Sequence, residues 1–358
     1  MPSLKEIKGR INSISSTLAI TSAMKMVASA KLQKAQMAIQ NMLPYERRLH
    51  SMLIDLMGAM NISAAASEDG SVRGSGSAER GFDQSGDRLS LSNRHDLAGM
   101  DGAYSLMAQR EVRKVAIVAF ASNSSLCGAF NSNVIREATA VINEYRASGL
   151  GDADITVYSV GRKMAEAMKK LGFPSPADFT KMSDSPSYDA ASALAQELFD
   201  GFVSGRFDKV ELVYNHYKST SSQPTIRQTY LPLSLADATA DLQAGKIADS
   251  ASESDTNRGA EPVGAPVVRQ GSPTTEDLIV EPSKEALIAT LLPKVVRLRI
   301  FTTLLDSAAA EHAARTVAMQ LATDNGNDLL QELTLEYNKG RQQKITSEIL
   351  DLVGGSLQ

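Results

Sequence analysis

Apolar residues in the last third of the chain, from about Ser283 onward, return every three or four positions. This spacing places side chains on one face of an α-helix. The residues that define the predicted stripe are Phe301, Leu305, Ala308, Met319, Ala322, Leu329 and Leu333. After Pro293, the pattern is interrupted only by Gly326, Gly340 and the pair Gly354 and Gly355. One helix of about 65 to 70 residues would be roughly 100 Å long, so it needs a partner along most of its length.

A seven-residue repeat runs through the first forty or so residues and is typical of a coiled coil. One seam position holds Leu4, Ile11, Leu18, Leu32 and Ile39, and the other holds Ile7, Ile14, Thr21, Ala28, Ala35 and Met42. Lys25 interrupts the seam, among small residues that allow two backbones to approach closely. We therefore predict that the first and last segments pair as an antiparallel coiled coil that encloses the rest of the chain.

Between these two segments, β-rich runs alternate with helical ones. The predicted strands are residues 114–121, 155–160, 209–214 and 223–233, and the predicted helices are residues 131–148, 161–171 and 187–204. The first run, KVAIVAFA, is apolar almost throughout, which indicates a strand buried on both faces. The fourth strand follows a short turn and is expected to be antiparallel. The alternation predicts a Rossmann-like, doubly wound α/β domain.

The composition divides the chain into five predicted segments. They are an N-terminal coiled-coil helix with a kink near Pro44 (1–60), a polar insert (61–108), the α/β domain (109–235), a second polar insert or linker (236–282) and a C-terminal coiled-coil helix (283–358). The two inserts are poor in large apolar residues. They cannot bury enough apolar surface to offset the entropy lost on ordering, so we expect them to be flexible or only partly ordered.

Charge and cysteine content exclude several classes of protein. The net charge of the 358 residues is −4, with both signs mixed, which does not suggest a nucleic-acid binder. Cys127 is the only cysteine, so no intrachain disulfide is possible. No apolar run is long enough to span a bilayer, and the first residues lack the apolar core of a secretory signal. The first helix is strongly basic between Lys5 and Lys34, which favours a solvated coiled-coil face, with contact with an acidic partner surface as the alternative.

The turn at residues 122–131 (SNSSLCGAFN) is the strongest candidate for chemistry within the domain, because α/β folds often bind phosphate between a strand and a helix. It lacks the glycine pattern and the lysine of a phosphate-binding loop, so we expect a packed turn. A nucleophilic Cys127 would need a nearby histidine, and the four histidines lie in unrelated contexts. No histidine pair has metal-ligand spacing. We expect no catalytic residue, cofactor or metal, which favours a mechanical or scaffolding role.

Three stretches of the chain resemble the gamma subunit of F-type ATP synthases. They are residues 20–36 (ITSAMKMVASAKLQKAQ), 124–134 (SSLCGAFNSNV) and 322–355 (ATDNGNDLLQELTLEYNKGRQQKITSEILDLVGG). The resemblance covers both terminal helices and the central domain, in the same order. The last motif is long and highly specific.

The resemblance implies a rotor subunit of the central stalk, with no catalytic activity of its own. In this family the coiled coil turns inside a ring of three alpha and three beta subunits. The α/β domain lies beside the epsilon subunit, on the c-ring. Proton-driven rotation of the c-ring is coupled to ATP synthesis or hydrolysis at the beta subunits. The resemblance also implies a peripheral position on the cytoplasmic side of a bacterial inner membrane.

The resemblance also implies two groups of contact residues, for which the alternative is ordinary helix surface. By motif position, the contacts with beta are Met24, Lys25, Arg315, Gln342, Thr346 and Glu348. An apolar bearing is implied at the end of the last helix, formed by Ile345, Ile349, Leu350, Leu352 and Val353. The family usually has basic residues where Ala19 and Ser22 stand, and often one at Gln320, so electrostatic contact with beta is expected to be weaker or rearranged here.

Two other functions compete with the rotor interpretation. One is a coiled-coil scaffold that does not rotate, and the other is a small α/β enzyme that uses the turn near Cys127. The inserts at 61–108 and 236–282 are longer than is typical of the family. Either a brake on ATP hydrolysis or a passive role fits them.

Overall fold

The computed structural model describes residues 3–68, 106, 110–233 and 284–355. In chain order the elements are α1 (Leu4–Glu68), β1 (Val115–Phe120), α2 (Phe130–Ala147), a short 3-10 helix (Asp152–Asp154), β2 (Ile155–Val160), α3 (Arg162–Lys170), α4 (Thr180–Asp184), α5 (Tyr188–Val203), β3 (Lys209–Asn215), β4 (Thr225–Leu231) and α6 (Lys284–Gly355). The 72 residues of α6 make a helix roughly 110 Å long.

The two long helices pair along their length in opposite directions. Leu4, at the start of α1, lies against Gly340 near the end of α6. Farther along, the Thr323 hydroxyl of α6 donates a hydrogen bond to the Thr21 hydroxyl of α1, at 3.1 Å. Residue numbers thus rise along one helix as they fall along the other. The predicted antiparallel coiled coil is confirmed.

All the heptad positions predicted on α1 are buried or half-buried. On α6 the half-buried or buried seam above the domain consists of Met319, Thr323, Gly326, Leu330, Leu333, Tyr337 and Gly340. The predicted stripe was wrong at Ala322 and Leu329, which are exposed. Gly326 causes the difference, because without a side chain it admits Leu18 of α1 into the seam. A pattern that counts only apolar residues therefore places the seam at Ala322 and Leu329, one position before the observed Thr323 and Leu330.

A four-stranded sheet forms the centre of the domain, in the order β2-β1-β3-β4. β1 pairs in parallel with both β2 and β3, and β4 runs antiparallel to β3. The antiparallel direction of β4 follows from the short connection after β3, since a parallel pair would need a longer crossover. The predicted α/β sheet, with its antiparallel last strand, is confirmed.

The sheet separates two apolar cores, and β1 contributes alternate residues to each. Val115, Ile117 and Ala119 face a core shared with α2 and α3. Ala116, Val118 and Phe120 face a core shared with α5 and with both long helices. The helices supply Leu49, Leu53 and Leu56 from α1, and Ile288, Leu292, Val295, Val296, Leu298, Ile300 and Leu304 from α6. The domain is therefore built directly onto the lower part of the rod.

Both long helices contain a proline that does not end them. α1 continues through Pro44 to Glu68, beyond the predicted boundary at residue 60, and α6 continues through Pro293. The turns that follow Pro44 bury Leu49 and Leu53 against the domain, which compensates for the backbone hydrogen bond that proline removes. Most of the two predicted inserts lies outside the described residues, and the five-segment division stays a prediction.

Candidate functional site

The last turns of α6 extend past the point where α1 begins. Leu4 lies against Gly340, and every residue from 341 to 350 is exposed. Ile345, Ile349, Leu350 and Leu352 are among the exposed large apolar residues, and Leu352 is 74% exposed. The side chain of Val353 lies outside the described residues. Within the described chain, this apolar helix end has no partner.

Apolar and polar groups occupy different faces of this helix end. Ile345, Ile349 and Leu352 are four and three residues apart, which aligns them on one face. On a neighbouring face, Thr346 donates a hydrogen bond from its hydroxyl to the backbone carbonyl of Gln342, at 2.9 Å. Glu348 lies 3.7 Å from Lys344 in a solvent-exposed ion pair. Because exposed pairs of this kind contribute little, Glu348 can exchange this contact for another at small cost.

Met24 and Lys25 lie on α1 at a different level of the rod, and both are half-buried. Thr21 is paired with Thr323, so Lys25 lies close to the level of Met319 on α6. About 27 residues of helix separate that level from Thr346, which corresponds to roughly 40 Å. The structure therefore separates the candidate contacts into two levels instead of bringing them together.

Arg315 points into the molecule. Its guanidinium donates hydrogen bonds to Glu311, at 2.8 Å, and to the Ser124 hydroxyl in the turn between β1 and α2, at 2.7 Å. Its side chain is only 12% exposed. Burial raises the pKa of Glu311, and the charge of Arg315 opposes that rise. Arg315 thus joins α6 to the domain and lies apart from the exposed candidate residues.

Comparison with known proteins covers the whole length of this arrangement. The model of the ATP synthase family matches residues 3–357. The ATP synthase gamma chain of Phocaeicola vulgatus is 47% identical over 357 residues, which cover 100% of both chains. The gamma chain of Bacteroides thetaiotaomicron is 45% identical over 358 residues, again 100% of both chains. The chain belongs to the ATP synthase gamma chain family.

The gamma chain fold is also found among solved structures. A chain in the Euglena gracilis mitochondrial ATP synthase, in the part that contains OSCP, F1 and the c-ring, matches with a TM-score of 0.52. The match covers 99% of this chain and 93% of that one, at 18% sequence identity. At this identity the likeness concerns the fold alone. It agrees with two long paired helices that carry a small α/β domain.

Sequence reasoning missed the joint that fastens the domain of this gamma chain family member to its rod. Asp306 of α6 accepts a hydrogen bond from the Tyr217 backbone N–H, at 2.9 Å, and its other oxygen lies 2.6 Å from Nδ1 of His216. Gln36 of α1 donates to the Tyr217 hydroxyl at 2.6 Å. His216 and Tyr217 directly follow β3, where α/β proteins commonly place functional side chains. Their position directly after a predicted strand was the sequence signal that could have indicated this joint.

The geometry around Cys127 does not favour the enzyme alternative. The thiol is buried against Phe130 and Ala310. Its polar contacts are Asn131, whose amide nitrogen lies 3.2 Å away, and two serines of the same turn. None of these groups is a base that can activate a thiol.

The described parts of the chain contain no group of three or more His, Cys, Asp or Glu side chains that could hold a metal ion. Of the helices described, none combines the length and the apolar character needed to cross a membrane.

Proposed function

We propose that this chain is the central-stalk rotor subunit of an F-type ATP synthase. It turns with the c-ring, inside a ring of alpha and beta subunits and next to epsilon. The rotation couples proton flow to ATP synthesis or hydrolysis at the beta subunits, and this chain catalyses no step itself. The observation that carries the proposal is the exposed apolar end of α6, which has no partner among the described residues, in a chain that matches a gamma chain over 100% of both lengths.

The physics of the rod suits this task. Two wrapped helices resist twisting far better than a single chain segment. Ile345, Ile349 and Leu352 form an apolar end that can turn inside an apolar collar without breaking fixed hydrogen bonds. Gln342, Thr346 and Glu348 are exposed beside it and can engage one beta subunit at a time. Rotation then shifts the states of the three beta subunits by differential contact.

The lower level of contacts surrounds Met24 and Lys25. Next to them on α1, Ile20, Met26 and Val27 are exposed, although each has a large apolar side chain. A group of exposed apolar residues of this kind marks a protein interaction surface. We assign Met24 and Lys25 to contact with beta, and we assign Arg315 to the internal contact with Ser124 and Glu311 instead.

We further propose that the chain lies at the cytoplasmic side of a bacterial inner membrane, held there by the complex. The gamma chain relatives from Phocaeicola and Bacteroides support a bacterial setting. Extraction of membranes with alkaline carbonate is expected to release the chain into the soluble fraction. Retention in the carbonate-washed membrane would contradict a peripheral position.

Assembly tests the proposal most directly. Co-expression with alpha and beta subunits of the same organism is expected to give a complex with one copy of this chain to three of each partner, measured by native mass spectrometry. ATP hydrolysis by the purified complex is expected to depend on this chain. If the chain remains alone and shows an activity of its own that is lost on Cys127→Ala, the small-enzyme alternative would be favoured instead.

A reversible cross-link separates a rotor from a static scaffold. Ile345→Cys, paired with a cysteine in the surrounding alpha–beta ring, is expected to stop ATP hydrolysis when oxidised and to restore it when reduced. If the chain were a scaffold that does not turn, the complex would keep its ATPase activity in the oxidised state.

Lys25→Ala is expected to lower the ATPase rate of the complex several-fold, whereas Lys169→Ala on α3, a surface lysine of the domain, serves as the matched control.

A further inference from the structure

The loop at residues 216–218 makes hydrogen bonds with side chains of both long helices. Asp306 of α6 uses both carboxylate oxygens on this loop, one with the His216 ring and one with the Tyr217 backbone N–H. Two contacts from one carboxylate fix its orientation as well as its position. The loop, in turn, is anchored to the sheet by the backbone hydrogen bond from His216 to Pro224, at 2.9 Å.

On the α1 side, Tyr217 makes the connection. Its hydroxyl accepts the hydrogen bond from Gln36. Its ring packs against an apolar cluster formed by Leu32, Ala35, Ile39, Ala309 and Ala313, and against a second one formed by Cys127, Phe130, Ala310 and Ala314. One aromatic side chain thus contacts α1, α6 and the turn after β1. Movement of the domain along the rod would disrupt all of these contacts together.

We infer that residues 216–218 form a pH-dependent clamp that holds the α/β domain on both helices of the rod. The titrating member is His216, which faces Asp306 from α6 and Lys218 from its own loop. The contact from α1 is the uncharged Gln36, which donates to Tyr217, and the carbonyl of Pro224, just before β4, accepts from the His216 backbone N–H. Protonation of His216 makes the contact with Asp306 a hydrogen bond between two opposite charges. Loss of that proton leaves a weaker hydrogen bond between a neutral imidazole and the carboxylate.

The direction of the pH effect follows from the pKa of His216. The hydrogen bond to Asp306 raises this pKa above its ordinary value, against the opposing effects of burial and of Lys218. A raised histidine pKa means that the clamp contributes its full stabilisation below the unfolded pKa and loses it as pH rises through the folded pKa. The His216 side chain is 44% exposed, so solvent screens the pair and the effect is several-fold in size.

The Tyr217 amide reports directly on the clamp, because its N–H is one of the two groups bound to Asp306. We expect its hydrogen-exchange protection factor in the full-length chain, corrected for the intrinsic exchange rate at each pH, to fall at least about threefold between pH 6 and pH 9. One full pKa unit would give tenfold. In His216→Gln the factor is expected to stay constant over this range. In Asp306→Asn it is expected to be low throughout.

Two further variants keep the test specific. His312→Gln removes the buried histidine of α6, whose pKa burial lowers to about 4, so the wild-type pH profile is expected to persist. Tyr217→Phe removes the bond to Gln36 and a longer contact with the Thr220 hydroxyl, and is expected to lower the protection at every pH without removing its pH dependence. The same profile in wild type and His216→Gln would overturn the inference.

The same pH dependence in the assembled enzyme rests on the proposed function. In a rotor, this joint lies between the coiled coil and the domain that follows the c-ring. The Tyr217 amide of the complex is therefore expected to lose protection with rising pH in the wild type and to keep it in His216→Gln. Failure to form any complex would overturn the rotor function alone, since the exchange measurement needs only the isolated chain.

Discussion

At the scale of single residues, Glu211 carries the most deeply buried charge in the described part of the chain. Its side chain is only 2% exposed. It accepts hydrogen bonds from the Tyr145 hydroxyl, from Lys209 and from the Arg227 guanidinium, each at 2.7 Å. Arg227 also contacts Glu144 at the surface. The carboxylate therefore joins β3, β4 and α2 in one network.

Loss of this charge is expected to destabilise the domain. Glu211→Gln leaves two cations and a phenol facing a neutral amide, and removal of one partner of a buried ion pair typically costs about 3 to 5 kcal/mol. We expect the lower end of that range, because Lys209 and Arg227 retain partial access to water. Urea unfolding of the full-length chain, followed by circular dichroism, measures the change. A loss below about 1 kcal/mol would contradict the assigned role.

Two controls accompany Glu211→Gln. Glu111→Gln removes the carboxylate of an ion pair with Arg113 in which both side chains are 77% exposed, and is expected to leave the unfolding midpoint unchanged. The second is acidification. Burial acts to raise the pKa of Glu211, but the hydrogen bonds from Arg227, Lys209 and Tyr145 together hold it below its ordinary value. Its stabilisation is therefore present above the unfolded pKa and lost as pH falls through the folded pKa, a loss absent from the variant.

Only part of this network was predictable from the sequence. Lys209 and Glu211 are two apart in a predicted strand, which places them on one face. Arg227 and Tyr145 come from other elements. Arg227 pairs with Val213 and reaches Glu211 diagonally across the β3–β4 pair. The strand pattern alone does not give the register of β4 against β3, so the partners of this buried charge could not be chosen in advance.

At the scale of elements, the seam between the long helices depends on two glycines with different surroundings. A Cβ at Gly326 would lie 2.6 Å from Cδ2 and 3.1 Å from Cγ of Leu18. A Cβ at Gly340 would meet a single atom, Cδ2 of Leu4, at 3.1 Å. The first contact is a clash with most of a branched side chain, while the second is relieved by a small shift.

The two glycines are expected to respond oppositely to alanine. Gly340→Ala should stabilise the chain by about 0.5 to 1 kcal/mol, because alanine favours the helix more than glycine does. Gly326→Ala should destabilise it by about 1 kcal/mol net, because overpacking outweighs the same gain. Chemical unfolding of both variants measures the difference.

A second substitution tests the reason for the difference. Leu18→Ala removes the side chain that Gly326→Ala would clash with, so the double variant is expected to recover the gain in helix propensity. The coupling between the two positions should then be favourable and at least about 1 kcal/mol. Additive effects of the two changes would show that Leu18 does not set the approach of the helices at this level.

The seam also shows why the fold was easier to predict than its details. The heptad on α1 repeats apolar residues at most of its seam positions, with Lys25 as an interruption, and all the predicted positions are at least half-buried. On α6 the same seam contains Thr323 and the two glycines, which do not register as apolar. Close backbone approach, and not hydrophobicity, selects those residues. The helix and its direction were therefore predictable, whereas the exact position of the seam around Gly326 was not.

At the scale of the whole molecule, the rod has a paired part and an unpaired part that meet at Gly340. Leu333 and Tyr337 belong to the paired part and face the beginning of α1. From residue 341 to residue 350 all side chains are exposed. Two deletions that differ by twelve residues, 345–358 and 333–358, therefore remove very different amounts of packing.

Deletion of residues 345–358 is expected to change the unfolding free energy of the isolated chain by less than about 0.5 kcal/mol, since the side chains described in this segment, residues 345–350 and 352, are all exposed. Deletion of residues 333–358 exposes the apolar seam around Leu4, Ile7 and Ile11, and should cost about 2 to 4 kcal/mol at ordinary values for buried apolar surface. Chemical unfolding measures both, and hydrogen exchange at residues 7–14 should rise only with the longer deletion. Equal costs would mean that the end of α6 folds back onto the chain.

In the assembled complex the shorter deletion is expected to have a large effect, because it already removes the apolar end of α6 and should weaken assembly with alpha and beta. A segment that contributes nothing to its own chain and much to the complex is what a shaft that turns inside other subunits requires.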